Sequence, residues 1–299
     1  DLWNDTRANA NIISILQGYS DPRLERWFAT NNADIYSTDD ELSPVVEKAT
    51  KYLGVRQGVP MTRTEYQGYS KTSRVGIPEQ GPRPVLRVAE AYFLRAEGML
   101  RNWNMGDGTP ESLYNEGIHS AWASVLGDES GWAGTYESYI NGFINTEEGG
   151  DFDWELFEGG FGSAPYINYR NQEYNYYIEE NGKQVGINRI SVRWHDEDSP
   201  EKKLQRIITQ KWISFFPTLS SVAWTEYRRT GYPKLIPIPS DLNYSNGAID
   251  TELQIRRLPF TQSEYRGNTE EVNKALGLLK GPDNGGTRLW WDVDKGNFE

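Results

Sequence analysis

Between Val85 and Asn102 the apolar side chains fall at Val85, Ala89, Tyr92, Phe93, Ala96, Met99 and Leu100, the spacing that lays one stripe along an α-helix. Pro84 stands where a helix start tolerates it, and Glu97 and Arg101 form an i,i+4 pair in the favoured orientation. After the turn residues from Asn104 to Gly108, Thr109 is placed to cap a second helix with Pro110 at its first position. Its stripe is Tyr114, Ile118, Ala121, Trp122 and Val125, and Gly127 is the expected stop. Two helices joined by so short a turn predict an antiparallel hairpin over 85–126, the unit from which tetratricopeptide-like solenoids are stacked. One hairpin does not by itself make a repeat.

Periodicity lapses over 128–189, which is Gly-rich, acidic and crowded with aromatics, and long ordered loops are expected there. It returns at Ser199-Pro200, a cap and first helical residue, followed by the face Leu204, Ile207, Ile208, Trp212 and Phe215. Pro217 interrupts. A short helix is expected from about Ser221 to Arg229 and ends at Gly231 and Pro233, with Leu235 to Pro239 extended after it. Near the end, Asn268 and Glu271 have the spacing of a capping box. Val272, Ala275, Leu276 and Leu279 form a face there, and Gly281-Pro282 closes the element. The fold class is therefore mainly α, with long insertions.

Composition narrows the function. The 299 residues include no Cys, which excludes thiolate chemistry and Cys-rich zinc sites, and a net charge of −12 disfavours nucleic acid, whose binding depends on Lys and Arg displacing counterions. Mean hydropathy of −0.72 speaks for many polar loops, yet 13% aromatic content is too rich for disorder. No apolar run reaches the roughly 18 residues of a membrane helix. The chain opens on Asp1 and not on Met, so a signal peptide or lipid-bearing Cys is expected to lie upstream.

Six strings occur along the chain: GYSDPRLERWF (Gly18 to Phe28), AEAYFLRAEGMLRNW (Ala89 to Trp103), IITQKWISFFP (Ile207 to Pro217), AWTEYRRTGYPKLIP (Ala223 to Pro237), RRLPFTQSEYRGN (Arg256 to Asn268) and PDNGGTRLWWD (Pro282 to Asp292). Together, and in this order, they resemble the SusD/RagB family of outer-membrane substrate-binding lipoproteins, especially its SusD-like subgroup with a tryptophan-rich end. The resemblance implies a mainly α fold with tetratricopeptide-like hairpins as scaffold and a loop-rich ligand-binding face. It also implies a lipid anchor, exposure at the cell surface, and docking on a SusC-like TonB-dependent β-barrel transporter. Contact with the membrane would run only through an N-terminal anchor outside this chain. Family members usually carry further scaffold helices before the first of these strings. The chain is thus expected to be a single SusD-like domain, 1–299, lacking its N-terminal part. Its parts would be the hairpin at 85–126, an aromatic insertion at 128–198, and C-terminal helices and loops at 199–299. A solenoid cut in this way would expose an apolar face where hairpins should stack.

Aromatic residues outside helical periodicity carry the strongest functional signal, because the C–H face of a sugar stacks on Trp and Tyr rings while amides and charges bond its hydroxyls. The candidates are Trp132, Trp154, Tyr166, Tyr169, Arg170, Tyr174, Tyr176, Tyr177 and Trp194. For any one of them the alternative is that the ring pins a loop to the scaffold. Trp103, Trp212, Trp224, Trp290 and Trp291 are expected in the core.

No catalytic pair, cofactor or metal set stands out. Glu90 and Glu97 share a helix face, but Arg87 and Arg101 lie one turn away and are expected to keep both ionised. His119 and His195 lack the carboxylate spacing of a metal site. The terminal Asp292-Val-Asp294 run has Gly296 where a calcium loop needs its third oxygen. Arg228-Arg229 and Arg256-Arg257 are expected to tie helices to loops through carboxylates such as Glu226 or Glu264. PDNGG reads as a turn. The expectation is a non-catalytic surface protein that captures a glycan and passes it to a transporter. Oligopeptide capture, a glycoside hydrolase and a protein-binding helical scaffold are its rivals.

Overall fold

The computed structural model describes residues 6–30, 52, 54–55, 57–58, 69–71, 84–141, 177–180, 183–186, 190–238, 240–292 and 295–299. Along these the elements are α1 (Ala10–Gly18), α2 (Arg23–Trp27), α3 (Val88–Leu100), α4 (Pro110–Leu126) and α5 (Ala133–Ile140). The strands β1 (Tyr177–Glu180) and β2 (Lys183–Gly186) follow, then α6 (Pro200–Phe215), α7 (Ser220–Thr230), α8 (Gln262–Gly267) and α9 (Thr269–Leu276). The protein is mainly helical.

The expected hairpin is α3 and α4, which pack on each other and on α6. Thr109 accepts from the Ser112 N–H while the Ser112 hydroxyl accepts from the Thr109 N–H, closing a capping box, and Gly127 ends the helix. The start of α3 differs from expectation. Val85 is 94% exposed and lies before the helix, because Arg87 at the N-cap is extended and reaches across to the Phe216 carbonyl. On α9 the capping box does not form, since the Asn268 side chain turns back to Glu264 at 3.5 Å; the helix also stops at Leu276, before Gly281-Pro282. α7 ends at Gly231 in the left-handed region (φ 77°), where a Cβ would be strained.

Helix α1 has no polar face: eight of its nine residues are buried, among them Ile12, Ile13, Ile15 and Leu16. A helix covered on all sides shows no 3.6-residue alternation, which explains why periodicity passes over it. Around α1, α2, α3 and α4 a continuous core gathers Trp27, Phe93, Tyr114, Trp122, Tyr139, Ile207 and Ile213. Trp122 centres its ring cluster, 4.8 Å from Tyr139 and 5.8 Å from Trp132.

Two buried charge clusters join the helices. Asp21 and Arg23 are fully covered and pair at 2.6 Å, with the Tyr139 hydroxyl donating to Asp21 at 2.8 Å and Gln210 donating to Tyr139 at 3.0 Å. Burial and the Asp21 charge push the Tyr139 hydroxyl well above its ordinary pKa, so it stays a donor. In the second cluster Glu97 of α3 accepts from Arg101 at 2.9 and 3.0 Å and from Arg229 of α7 at 2.6 and 2.7 Å. Arg229 also meets Glu226 at 2.6 Å, and Lys211 of α6 lies 3.4 Å from Glu226 and 3.9 Å from Glu90. Glu90 is thus matched by Lys211, and the Arg87 expected beside it bonds elsewhere.

Burial alone pushes the Glu97 carboxyl up, but the hydrogen bonds and charges of Arg229 and Arg101 outweigh it and hold the pKa below the ordinary value. A carboxylate depressed in the folded state contributes stability that is complete above the unfolded value and lost as pH falls through the lower folded one. Denaturant midpoints of the wild type should therefore drop below about pH 4.5 more steeply than those of Glu97→Gln. At pH 7 that variant should cost on the order of 2 kcal/mol, less than a fully dry pair because Arg229 keeps 39% side-chain exposure. Thr109→Ala removes the exposed cap of α4 and should lower stability by about 1 kcal/mol, seen as a shifted urea midpoint at unchanged slope.

Candidate functional site

The aromatic insertion leaves and rejoins the scaffold at one residue. Tyr19, at the end of α1, sets its ring edge-on to Tyr139 near the end of α5 (6.3 Å, 87°), and its hydroxyl donates to the Ile190 carbonyl at 2.8 Å. Tyr114 donates to the Val192 carbonyl at 2.7 Å, and Tyr136 to the Asn115 carbonyl at 2.9 Å. The hydroxyls of Tyr19 and Tyr114 thereby satisfy buried carbonyls where the chain rejoins the scaffold, and Tyr136 adds a bond to a carbonyl within α4.

Two of the expected ligand rings belong to this base. Trp132 is 6% exposed, donates its indole N–H to the Gly127 carbonyl at 3.2 Å and packs on His119, Trp122 and Tyr136. Trp194 is 7% exposed, bonds Asp196 at 3.1 Å and lies 5.4 Å from the Tyr114 ring. Both are pinned to the scaffold, and neither offers an open ring face. The packing of Trp132 was legible: Trp132, Tyr136, Tyr139 and Ile140 follow helical spacing at and along α5, in a stretch expected to be loop. Trp154, Tyr166, Tyr169, Arg170, Tyr174 and Tyr176 lie outside the described residues, and Tyr177 opens β1. β1 and β2 pair antiparallel with Tyr177 opposite Gly186 and Glu180 opposite Lys183, a hairpin where loops were expected. Its signal was Asn181-Gly182 between the two strands.

Four of the five tryptophans expected in the core are exposed. Trp103 is 61% exposed, Trp224 39%, Trp290 87% and Trp291 46%, while Trp212 is partly buried. On α7 the covered positions are Ala223, Tyr227 and Thr230, so Trp224 falls one step off the buried face. Trp103 sits in the turn after α3, where its N–H closes on the Gly98 carbonyl.

Other polar clusters are structural. Ser191, His195 and Glu197 have triad-like connectivity, with His195 3.3 Å from each partner. However, Ser191 is buried, donates to the Arg193 carbonyl and accepts from Arg206 at 3.3 Å, so its hydroxyl is covered and already engaged. Arg256 pairs with Asp292 at 2.7 and 2.5 Å, and Arg257 with Asp283 at 2.5 Å, in place of the Glu264 partner expected. This spends the first carboxylate of the terminal acidic run on arginine. The PDNGG turn packs so closely that a Cβ on Gly286 would stand 2.0 Å from the Ala248 carbonyl oxygen.

A cavity of about 550 Å³ opens between the start of α1, α6, α7 and the 235–255 segment. Trp212, Phe215, Trp224, Tyr227 and Ile255 form apolar walls, with Asn243 and Gln254 among the polar groups.

Comparison with known proteins places the chain. No curated protein matches it. Among solved structures it is similar to a chitin-binding SusD homologue from Flavobacterium johnsoniae (37% identity, TM-score 0.70), covering 98% of this chain and 50% of that one. It is likewise similar to SusD homologues from Bacteroides vulgatus (33%, TM-score 0.72, 99% and 51% covered) and Bacteroides ovatus (31%, TM-score 0.70, 98% and 53% covered). The chain therefore spans about half the length of these relatives. The family model described as SusD and RagB outer membrane lipoprotein matches residues 1–139 and 161–292, and the chain belongs to this SusD-like family.

Proposed function

We propose that this protein binds an oligosaccharide or polysaccharide at the cell surface without cleaving it, and delivers it to a SusC-like TonB-dependent transporter while held to the outer membrane by a lipid anchor. Family membership and the likeness to a chitin-binding homologue support glycan capture. The observation that carries the reading is the anchorage of the insertion at Tyr19. Tyr19 touches both Tyr139 and Ile190, and the stretch of sequence between those two residues carries Trp154, Tyr166, Tyr169, Arg170, Tyr174, Tyr176 and Tyr177. The non-catalytic part of the reading is supported by Glu90 and Glu97, which face Lys211 and two arginines and are held as ion pairs. Stacking plus hydrogen bonds gives modest affinity, which suits a ligand that must be handed on.

Calorimetry on the full-length protein with chitin oligosaccharides and a panel of other glycans tests this. Trp154→Ala or Tyr166→Ala should each weaken binding about tenfold, equivalent to about 1.4 kcal/mol, without a change in Tm. A tagged, lipid-anchored protein should also co-purify with a large β-barrel. Unchanged glycan affinity in these variants would discard the insertion as the site. Release of reducing ends, lost on replacing one carboxylate, would point to a hydrolase, and a response to peptides alone would make the ligand an oligopeptide.

A further inference from the structure

We propose that Trp224, Arg228 and Trp291, with the cavity beside them, form a second carbohydrate-binding site separate from the insertion; this rests on the glycan-binding reading above and adds a location to it. The Arg228 guanidinium carbon lies 4.7 Å from the Trp224 ring centroid and 5.4 Å from that of Trp291, so one cation is flanked by two indoles. Arg228 is itself fixed: its guanidinium donates to the Arg256 carbonyl, and Arg256 donates back to the Arg228 carbonyl at 3.0 Å. Arg256 in turn is held by Asp292, the residue after Trp291, at 2.7 and 2.5 Å. This cycle clamps α7 to the C-terminal segment and sets both indoles in place, yet leaves them 39% and 46% exposed, against 0% for the core indole of Trp122. Aromatic surface that is already ordered loses little freedom when a ligand stacks on it.

The neighbouring cavity supplies what a ring alone lacks. Trp224 is part of its wall, with Trp212 and Tyr227 as further ring surface and Asp250, Thr251 and Gln254 as hydrogen-bonding groups. Its volume of about 550 Å³ lies within the range of small-molecule sites. A pyranose, apolar on its C–H face and hydroxylated at its edge, matches that mixture. Phosphate-bearing ligands, nucleic acid and anionic lipid fit it poorly, since Asp250 lines the cavity in a protein of net charge −12. Arg228 Nε is moreover buried with no hydrogen-bond partner among the described residues.

Fluorine NMR of the full-length protein carrying 5-fluorotryptophan tests the site, with signals assigned through Trp224→Phe, Trp291→Phe and Trp154→Phe. Hexamers of N-acetylglucosamine, glucose and xylose are the probes. At least one hexamer should shift the Trp224 and Trp291 signals in a saturable way. Gln254→Ala, which leaves the indole–arginine stack in place, should weaken that response about fivefold while the Trp154 response is unchanged. If Trp154 responds and Trp224 and Trp291 respond to no hexamer, the second site is overturned and the first reading stands. If only Trp224 and Trp291 respond, the second site stands and the insertion reading falls. Signals that move only on adding the purified β-barrel would assign this face to a protein partner and overturn the proposal.

Discussion

Glu97 is one carboxylate serving two arginines from different helices, and the arrangement of α3, α6 and α7 turns on it. Arg101 lies one turn along α3 and would pair with Glu97 in an isolated helix; Arg229 reaches it only once α7 has docked. Arg229 then shares Glu226 with Lys211, whose amine, 1% exposed, also faces Glu90 back on α3. Each of these ions, left without partners, would be too costly to bury, so the helices are bound to one relative placement as much as attracted to it. The apolar core around Trp122 and Phe93 supplies driving force, which is not directional. The ion pairs supply register.

The same logic shapes the base of the insertion. A long excursion brings buried carbonyls where it leaves and rejoins the scaffold, and Tyr19 and Tyr114 provide hydroxyls for them from within apolar surroundings. Tyr139 does the same for Asp21. Tyrosine suits this task because its ring counts as core while its tip remains a donor. The aromatic richness of the chain is therefore spent in part on holding loops to helices.

Helix α4 was legible to the residue at both ends, because Thr109, Pro110 and Gly127 act through local backbone chemistry that requires nothing distant. Helix α1 was not, since burial on all sides erases the alternation on which periodicity depends. Several tryptophans fall opposite to expectation. Those in recognisable helical strings, Trp224 and Trp103, are open, and Trp132 and Trp194, in the stretch taken for loop, are buried. The neighbours of Trp194 and Trp224 include Tyr114 and, through the shared Arg228, Trp291, both far away in sequence, and local spacing carries no record of them.

What the amino-acid sequence determined by itself is therefore the helical class, the hairpin of α3 and α4, the caps at Thr109, Ser199 and Gly231, and, through six ordered strings, the family. All of these depend on contacts within one element, or on strings that can be read without a structure. Only the tertiary structure decided that Arg256 answers to Asp292 and Arg257 to Asp283 and not to Glu264, that Glu97 is shared, and which indoles stay open to solvent. Those outcomes depend on which charges and faces meet when the helices pack, and Glu97 and Arg229 meet across 132 residues of chain.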